Sequence, residues 1–591
     1  MTSDQIALLL LLTALLFMLV WGKWRYDIVA LGALFIAATL GLVPQPALFT
    51  GFGNPATITV VLVLILSAAL TRSGAVDYLT QVIEPVANRP VLHITVLTFL
   101  AAFLSMFMNN VGALALLMPI AIQSTTKQGM SPASVLMPLS FGSILGGLVT
   151  LIGTPPNLLI SSYRQEVTGE AFGMFDFAPV GGGVAMVGII FLLVIGFRLV
   201  RVRKQTAGLE LFDVEKYLFE VKVPKNSSLI GTTLGELRTQ LNEQNIDLLS
   251  LIHNKRKMPQ VHRHLALSSD DLLMLQGSQE DVDKLVSRLE LQLLSAESAQ
   301  KEIFHSEDTQ ILEVVVAPNS RLSGRTVGQL RFTRNYGINL LAISREGTPY
   351  RNRLRDFRFR TGDVLLLHGE TEYLQDAVTK LGAYPLAERQ LAFGGKDKAL
   401  RALAVFVVAI AMAGFNIMSI QLSLGLATVA MVALNIIPVR EFYDGVDWPV
   451  VILLGAMIPI GGALETTGTT ALLVDGLMSV TTDMSPVVIL VLVMVITMTV
   501  SDVLNNAATA ILMAPIAYSM AVSLGVNPDA FLMAVAIGAS CAFLTPIGHQ
   551  NNALIMGPGG YHFGDYWRIG LPLEVLIVCT ATPLILIVWP L

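Results

Sequence analysis

Thr150-Leu-Ile-Gly-Thr-Pro-Pro-Asn157 returns 395 residues later as Thr545-Pro-Ile-Gly-His-Gln-Asn-Asn552, each copy inside a long apolar stretch. Proline removes a backbone donor and glycine admits unusual φ, so a helix must open at both places. A kink that only adjusts packing is the simpler alternative. Thr154, Asn157, His549, Asn551 and Asn552 make the openings polar, which packing alone does not require. Outward from there, Asn109-Asn110 stands nine residues before Pro119 and returns as Asn505-Asn506, nine before Pro515. Pro44 and Pro438, Pro55 and Pro449, and Gly74 and Gly468 are each 394 apart. Asn109, Pro119, Gly129 and Pro132 meet Asn505, Pro515, Gly525 and Pro528 at 396. So small a drift over that distance marks a duplication. Duplicated membrane segments with polar interruptions at matched positions belong to secondary transporters, which hold solute where the copies meet.

The chain is 53% hydrophobic and 14% charged, with a mean hydropathy of +0.66. A soluble domain carries about 25% charged residues, so most of this chain lies in lipid. Apolar stretches near spanning length run at 6–22, 28–43, 56–71, 91–107, 110–126, 133–163 and 179–200. They resume at 399–418, 420–438, 449–466, 486–503, 506–524, 529–556 and 571–590. Most of the charge collects between them, at 201–398, as a soluble insert. A net charge of −5 gives no case for nucleic acid. Cys541 and Cys579 sit in apolar segments and offer neither a disulfide framework nor a metal cluster. No nucleophile–base pair or metal-ligand spacing appears, so enzyme chemistry has no candidate site. The opening segment, with Asp4 and no basic region, reads as a first membrane helix and not a cleaved leader.

Lys23, Arg25, Arg198, Arg201, Arg203, Lys204, Lys396, Lys398, Arg401 and Arg440 fall at one set of helix ends. The positive-inside rule assigns that side, and the insert with it, to the cytoplasm. The halves 1–200 and 399–591 then run in opposite senses. The expected fold is a polytopic α-helical membrane protein of two inverted repeats, with broken helices and re-entrant hairpins at 91–126 and 486–524. The Asn pairs fall at the hairpin turns, and polar backbone at membrane depth is tolerated only where protein or a water-filled cavity covers it.

The insert carries its own repeat. Ser227, Gly231, Gly235 and Leu237 return as Ser320, Gly324, Gly328 and Leu330, 93 apart, and Asn226 as Asn319. Asp271 and Gly277 return as Asp363 and Gly369, 92 apart. Each copy opens with a strand (219–223; 312–316), passes a Gly turn into a short helix and ends on an apolar strand (272–275; 364–367). Two α+β modules, 201–300 and 301–398, are expected. Neither holds a GxGxxG or P-loop spacing.

An Asn side chain donates and accepts without charge, so it can meet an anion with its N–H or a cation with its carbonyl. Free N–H groups at a helix start favour an anion, and exposed carbonyls at the opposite kind of end suit Na+. Asn109, Asn110, Asn505, Asn506, Thr509, Thr154, Asn157, Asn551 and Asn552 are therefore candidate anion ligands. Asp502, whose counterpart is Met106, is a carboxylate within a membrane segment, a costly placement that points to a cation or proton role. Glu465, whose counterpart is Thr71, reads as a helix-end residue, and His549 as a pH-sensitive group or a donor.

At these residues the chain resembles the divalent anion:sodium symporters of the ion-transporter superfamily. Their Ser-Asn-Thr hairpin motif falls on Asn109-Asn110-Val111 and Asn505-Asn506-Ala507, where only the Asn is kept, as Asn110 and Asn506. Their Gly-Thr-Pro-Pro-Asn loop matches 153–157 and, loosely, 548–552. The resemblance implies Na+ sites between hairpin tip and broken helix, drawing on Asn110, Gly153, Asn157, Asp502, Asn506, Thr545, Gly548 and Asn552. It implies an anion between the two tips, an elevator movement and a homodimer in the inner (plasma) membrane. The insert resembles tandem TrkA C-terminal (RCK-C) modules, which implies regulation by an unidentified small ligand within 201–398 and favours sulfate over dicarboxylate. A dicarboxylate symporter, a Na+/H+ antiporter or arsenite-type carrier, a ligand-gated channel and a membrane sensor remain as alternatives.

Overall fold

The computed structural model describes residues 1–21, 24–73, 90–127, 130–200, 218–243, 246–253, 256–258, 265–276, 279–293, 309–318, 320–350, 354–386, 396–438, 443–480 and 484–591. Lys23, Gly74, Gly129, Arg201, Arg203, Lys204, Gly277, Asn319 and Arg440 of the sequence reading lie outside these residues. The chain divides into a helical unit, Met1–Val202 with Glu388–Leu591, and a second unit, Arg203–Ala387.

The helical unit repeats one order of elements. Its first half runs Ser3–Trp21, Tyr26–Thr39 and Pro55–Arg72, then a helical hairpin, Pro90–Ser105 and Asn110–Lys127. A broken helix follows, Ala133–Gly147 and Pro155–Thr168, and then Ala178–Phe191, which continues through a π turn at Leu192–Gly196. The second half runs Lys396–Gly414, Ile420–Ala433, Trp448–Thr466 and Thr469–Val480. Its hairpin is Pro486–Ser501 and Asn506–Leu524, its broken helix Pro528–Ser540 and Gln550–Gly559, and Trp567–Val588 closes the chain. Gln45–Arg72, Ala178–Leu199, Trp448–Thr466, Asn506–Leu524 and Trp567–Val588 are long and apolar enough to cross a membrane, by length and composition. The protein is a multi-pass α-helical membrane protein with a soluble β-sheet insert.

Local chemistry sets these boundaries. Asn109 and Asn505 cap the second hairpin helices, each accepting the N–H two residues on (Val111, 3.2 Å; Ala507, 2.9 Å). Asn54 and Asn527 cap Pro55–Arg72 and Pro528–Ser540 in the same way. Gly525, at φ 66°, closes the second hairpin in the left-handed region that glycine adopts without penalty. The apolar stretches 133–163 and 529–556 are each two helices, because the chain runs through non-helical backbone at 148–154 and 541–549 before Pro155 and Gln550 start the second helix. The helix Thr469–Val480 was not among the sequence segments, since Thr469, Thr470, Asp475 and Gly476 dilute its apolar pattern.

The first helix of each hairpin packs along the first helix of its broken pair. Gly142 leaves no room for a Cβ against Thr98 Cγ2 (2.6 Å), and its counterpart Gly538 none against Met494 O (2.9 Å). Backbones approach this closely only where side chains are absent.

The insert forms two antiparallel five-stranded sheets of one topology. The first is β3-β2-β4-β1-β5, with β1 Leu218–Lys222, β2 Asp247–His253, β3 Arg256–Met258, β4 Leu272–Gln276 and β5 Gln292–Leu293. The second is β10-β6-β9-β7-β8, with β6 Thr309–Val316, β7 Asn339–Arg345, β8 Thr348–Pro349, β9 Val364–Glu370 and β10 Ala383–Pro385. Each bulges at the same place, Leu248/Ser250 and Leu340/Ala342. Each has its own apolar core, one around Val221, Leu237, Leu251 and Leu273, the other around Val314, Ile338, Leu365 and Leu374. Ser227 and Ser320 donate to the carbonyl that ends the module's last helix, Leu289 and Leu381.

Candidate functional site

Three hydrogen bonds are built twice in the helical unit, at positions 395 or 396 residues apart. Ser105 Oγ donates to Asn110 Oδ1 (2.5 Å), and Ser501 Oγ to Asn506 Oδ1 (3.0 Å). Thr150 Oγ1 donates to the carbonyl of Met106, and Thr545 Oγ1 to that of Asp502 (2.6 Å). Asn157 Nδ2 donates to Thr150 O (2.9 Å), and Asn552 Nδ2 to Thr545 O (3.2 Å). In each half these bonds tie the hairpin turn to the opened helix and gather amide, hydroxyl and carbonyl oxygens at one place. Asn157 Oδ1 is buried and has no hydrogen-bond partner among the described residues, so an acceptor is free to meet a cation.

Glycine makes both closures possible. A Cβ on Gly147 would come 2.6 Å from Asn110 Oδ1, and one on Gly548 2.8 Å from Asp502 Cα. Gly153 lies directly against the Gly147 carbonyl. Any side chain at these places would push the hairpin tip off the break.

The second break also reaches across to the first hairpin. Asn551 Nδ2 donates to Ser143 Oγ (2.5 Å) and to the backbone carbonyl of Asn110 (3.2 Å). His549 Nδ1 accepts the N–H of Asn551 (3.1 Å), and its Nε2 lies 3.3 Å from Asn110 Nδ2. Asn552 Oδ1 accepts from Ser140 Oγ (2.9 Å). The two halves thus meet through amide, imidazole and hydroxyl groups, with no lysine or arginine among these partners.

The residues singled out from the sequence separate into kinds. Asn110, Asn157, Asn506, Asn551, Asn552 and Thr545 take part in the repeated or crossing bonds. Asn109 and Asn505 have their side-chain oxygens on capping bonds, and Thr509 Oγ1 turns back to Asn505 O (3.2 Å). Thr154 is buried at the start of Pro155–Thr168 without capping it through its side chain. Asp502 is buried and accepts the N–H of Leu544 at Oδ1 (2.9 Å). The sequence reading passed over Ser105, Ser501, Ser140 and Ser143, because a serine within an apolar helix gives no signal of its own. For Ser105 and Ser501, the matched spacing of five residues before Asn110 and Asn506 was the available clue. It also passed over Glu574, a lone buried carboxyl in Trp567–Val588 that accepts the N–H of Phe543 (3.3 Å).

The family profile described as citrate transporter, CitMHS, matches residues 16–538 and 484–591. An uncharacterized transporter of Synechocystis sp. is 33% identical over 95% of this chain and 93% of its own length. The uncharacterized transporter YfbS of Escherichia coli is 28% identical over the whole of both chains. Sodium/sulfate cotransporter 1 of Chlamydomonas reinhardtii is 25% identical over 62% of this chain and 43% of its own length.

Proposed function

Because the chain belongs to the CitMHS citrate-transporter family, we propose that it is a Na+-coupled symporter of a small divalent oxyanion, sulfate first. The observation that carries this reading is the threefold hydrogen-bond pattern built once in each half, with the crossing contacts of His549 and Asn551 on Asn110. Na+ binds at the two gatherings of oxygens, using Asn110, Gly153 and Asn157 in one half and Asp502, Asn506, Thr545, Gly548 and Asn552 in the other. The anion sits between the hairpin tips, held by Asn110, Asn506, Asn551 and the N–H groups at the starts of Asn110–Lys127 and Asn506–Leu524. Asn109, Asn505, Thr509 and Thr154 shape that space from the side. Uncharged donors hold a tetrahedral anion loosely enough to release it after translocation.

The halves are inverted repeats, the hairpins are re-entrant, and hairpins and broken helices move together against the remaining helices. The two insert modules are RCK-C-like and cytoplasmic, and a ligand that binds one conformation better shifts the transport equilibrium. The working form is a homodimer in the inner membrane. Sulfate is placed ahead of citrate because named relatives are sodium/sulfate cotransporters, although the family description names citrate.

The deciding experiment is uptake of radiolabelled sulfate into proteoliposomes, with an inward Na+ gradient or choline in its place. Concentrative uptake only with Na+, competed by unlabelled sulfate and not by citrate, is the expected result. Citrate uptake in place of sulfate would reassign the substrate, and uptake indifferent to Na+ would remove the coupling.

A further inference from the structure

One buried difference between the halves concerns carboxyl groups. Asp502 follows the first hairpin helix of the second half, and its counterpart is Met106. Glu574 stands four residues after Gly570 in Trp567–Val588. Gly570 lies against the carbonyl of Phe543 as Gly181 lies against that of Leu148, and Phe543 matches Leu148 at 395. Glu574 therefore matches Ala185. A methionine and an alanine in the first half become two carboxyls in the second.

Asp502 is 3% exposed and Glu574 8%. The consecutive amides of the second break serve both, Phe543 N–H to Glu574 Oε1 (3.3 Å) and Leu544 N–H to Asp502 Oδ1 (2.9 Å). Each carboxyl is acted on by the other and by the Phe543 N–H. Asp502 Oδ2 is buried without a hydrogen-bond partner among the described residues. Among those residues, no lysine, arginine or histidine acts on either carboxyl.

Backbone N–H donors suit carboxylates, and two carboxyls facing each other at membrane depth need either a bound cation or a proton on one of them. Their atoms are hard oxygens, which suit Na+ and not a softer metal. We infer that Asp502 and Glu574 together bind Na+, so that Glu574 is a cation ligand of the second half with no equivalent in the first. This deepens the transport reading and rests on it. The pair joins three elements, the hairpin turn, the opened helix and the last helix, and Na+ binding there draws them together.

The test uses purified full-length protein in detergent, without any anion substrate. Thermal stability is followed as Na+ replaces choline at constant ionic strength, since a ligand of the folded state raises it. Glu574→Gln is expected to need about tenfold or more Na+ for half the effect, as losses around metal sites typically run. A Na+ titration that superimposes on that of the unaltered protein overturns the inference. So does an unchanged Na+ titration accompanied by a lost pH dependence, which would make the pair a proton site. Should Glu574→Gln fail to fold, the unaltered protein is labelled with a lipid-soluble carbodiimide and mapped by mass spectrometry. Na+, and not choline, is expected to protect Glu574, and equal labelling in both overturns the inference. Neither measurement involves sulfate. A shifted titration without sulfate uptake removes only the sulfate reading, and Na+-driven uptake with an unshifted titration removes only this inference.

Discussion

Asn110 is the most connected of the polar residues at the tips. Its side chain meets Ser105 and His549, and its carbonyl accepts from Asn551. Truncating it strands several buried groups, and each stranded partner costs about 1–3 kcal/mol. Asn110→Ala and Asn506→Ala are expected to lower initial sulfate uptake by about tenfold or more on that scale. Membrane insertion, judged by quantified protein in the vesicles, should stay normal. Gly147→Ala tests the same tip from the other side, because its new methyl must displace the Asn110 amide. It should raise the KM for sulfate more than it changes folding, read from uptake curves and thermal stability of the same preparation. In the insert, burial pushes the Glu313 carboxyl above the usual carboxylate range. It lies on β6 opposite Leu366 of β9. A raised folded value means the charged form is penalised, so its cost is absent at acid pH and appears as pH rises through that value. Glu313→Gln should slow amide hydrogen exchange in β6 and β9 at neutral pH. The difference from the unaltered chain should vanish on acidification.

Between residue and molecule, the working parts are the hairpin and its broken helix, fitted by glycine. Gly538→Ala puts a methyl against Met494 O and Thr497 Cβ, at 2.9 and 3.0 Å. Overpacking of this kind typically costs about 1–3 kcal/mol, which should appear as a lower Tm in detergent. No loss is expected at Gly112→Ala, where only Ser67 Oγ approaches, at an ordinary 3.5 Å. These elements were legible in the chain because their interruptions use residues with few other reasons to sit in an apolar run. Gly153-Thr-Pro-Pro-Asn157 announces an opened helix by its missing donors. Asn109 and Asn505 announce helix starts by capping. Ser105 and Ser501 announce nothing alone, since a hydroxyl in a membrane helix ordinarily bonds its own backbone, as Thr98 does with Ile94. The meeting of Glu574 with Asp502 was also beyond reading. It depends on Gly570 letting the last helix settle onto Phe543, and no spacing along the chain encodes that approach.

On the scale of the whole helical unit, Pro155–Thr168 is held on two sides by three successive residues. Ser162 Oγ donates to Asn54 Oδ1 (2.9 Å), and Tyr163 OH to Glu465 Oε1 (2.5 Å). Arg164 forms a paired contact with Asp529, Nε to Oδ1 at 2.8 Å and Nη2 to Oδ2 at 3.0 Å. Asn54 and Glu465 belong with Pro55–Arg72 and Trp448–Thr466, whereas Asp529 opens the second broken helix. If hairpins and broken helices travel as one body, the first two contacts break in every cycle and the third persists. A reducible bifunctional thiol reagent, long enough to make up the lost side-chain length, can bridge cysteines placed at each kind of contact and separates these expectations, in a background carrying Cys541→Ser and Cys579→Ser. Joining Tyr163→Cys to Glu465→Cys should stop sulfate uptake until a reductant is added. Joining Arg164→Cys to Asp529→Cys should leave uptake largely intact, because it links parts that move together. Equal inhibition by both bridges would mean that the two broken helices shift against each other, and the single-body movement would have to be abandoned.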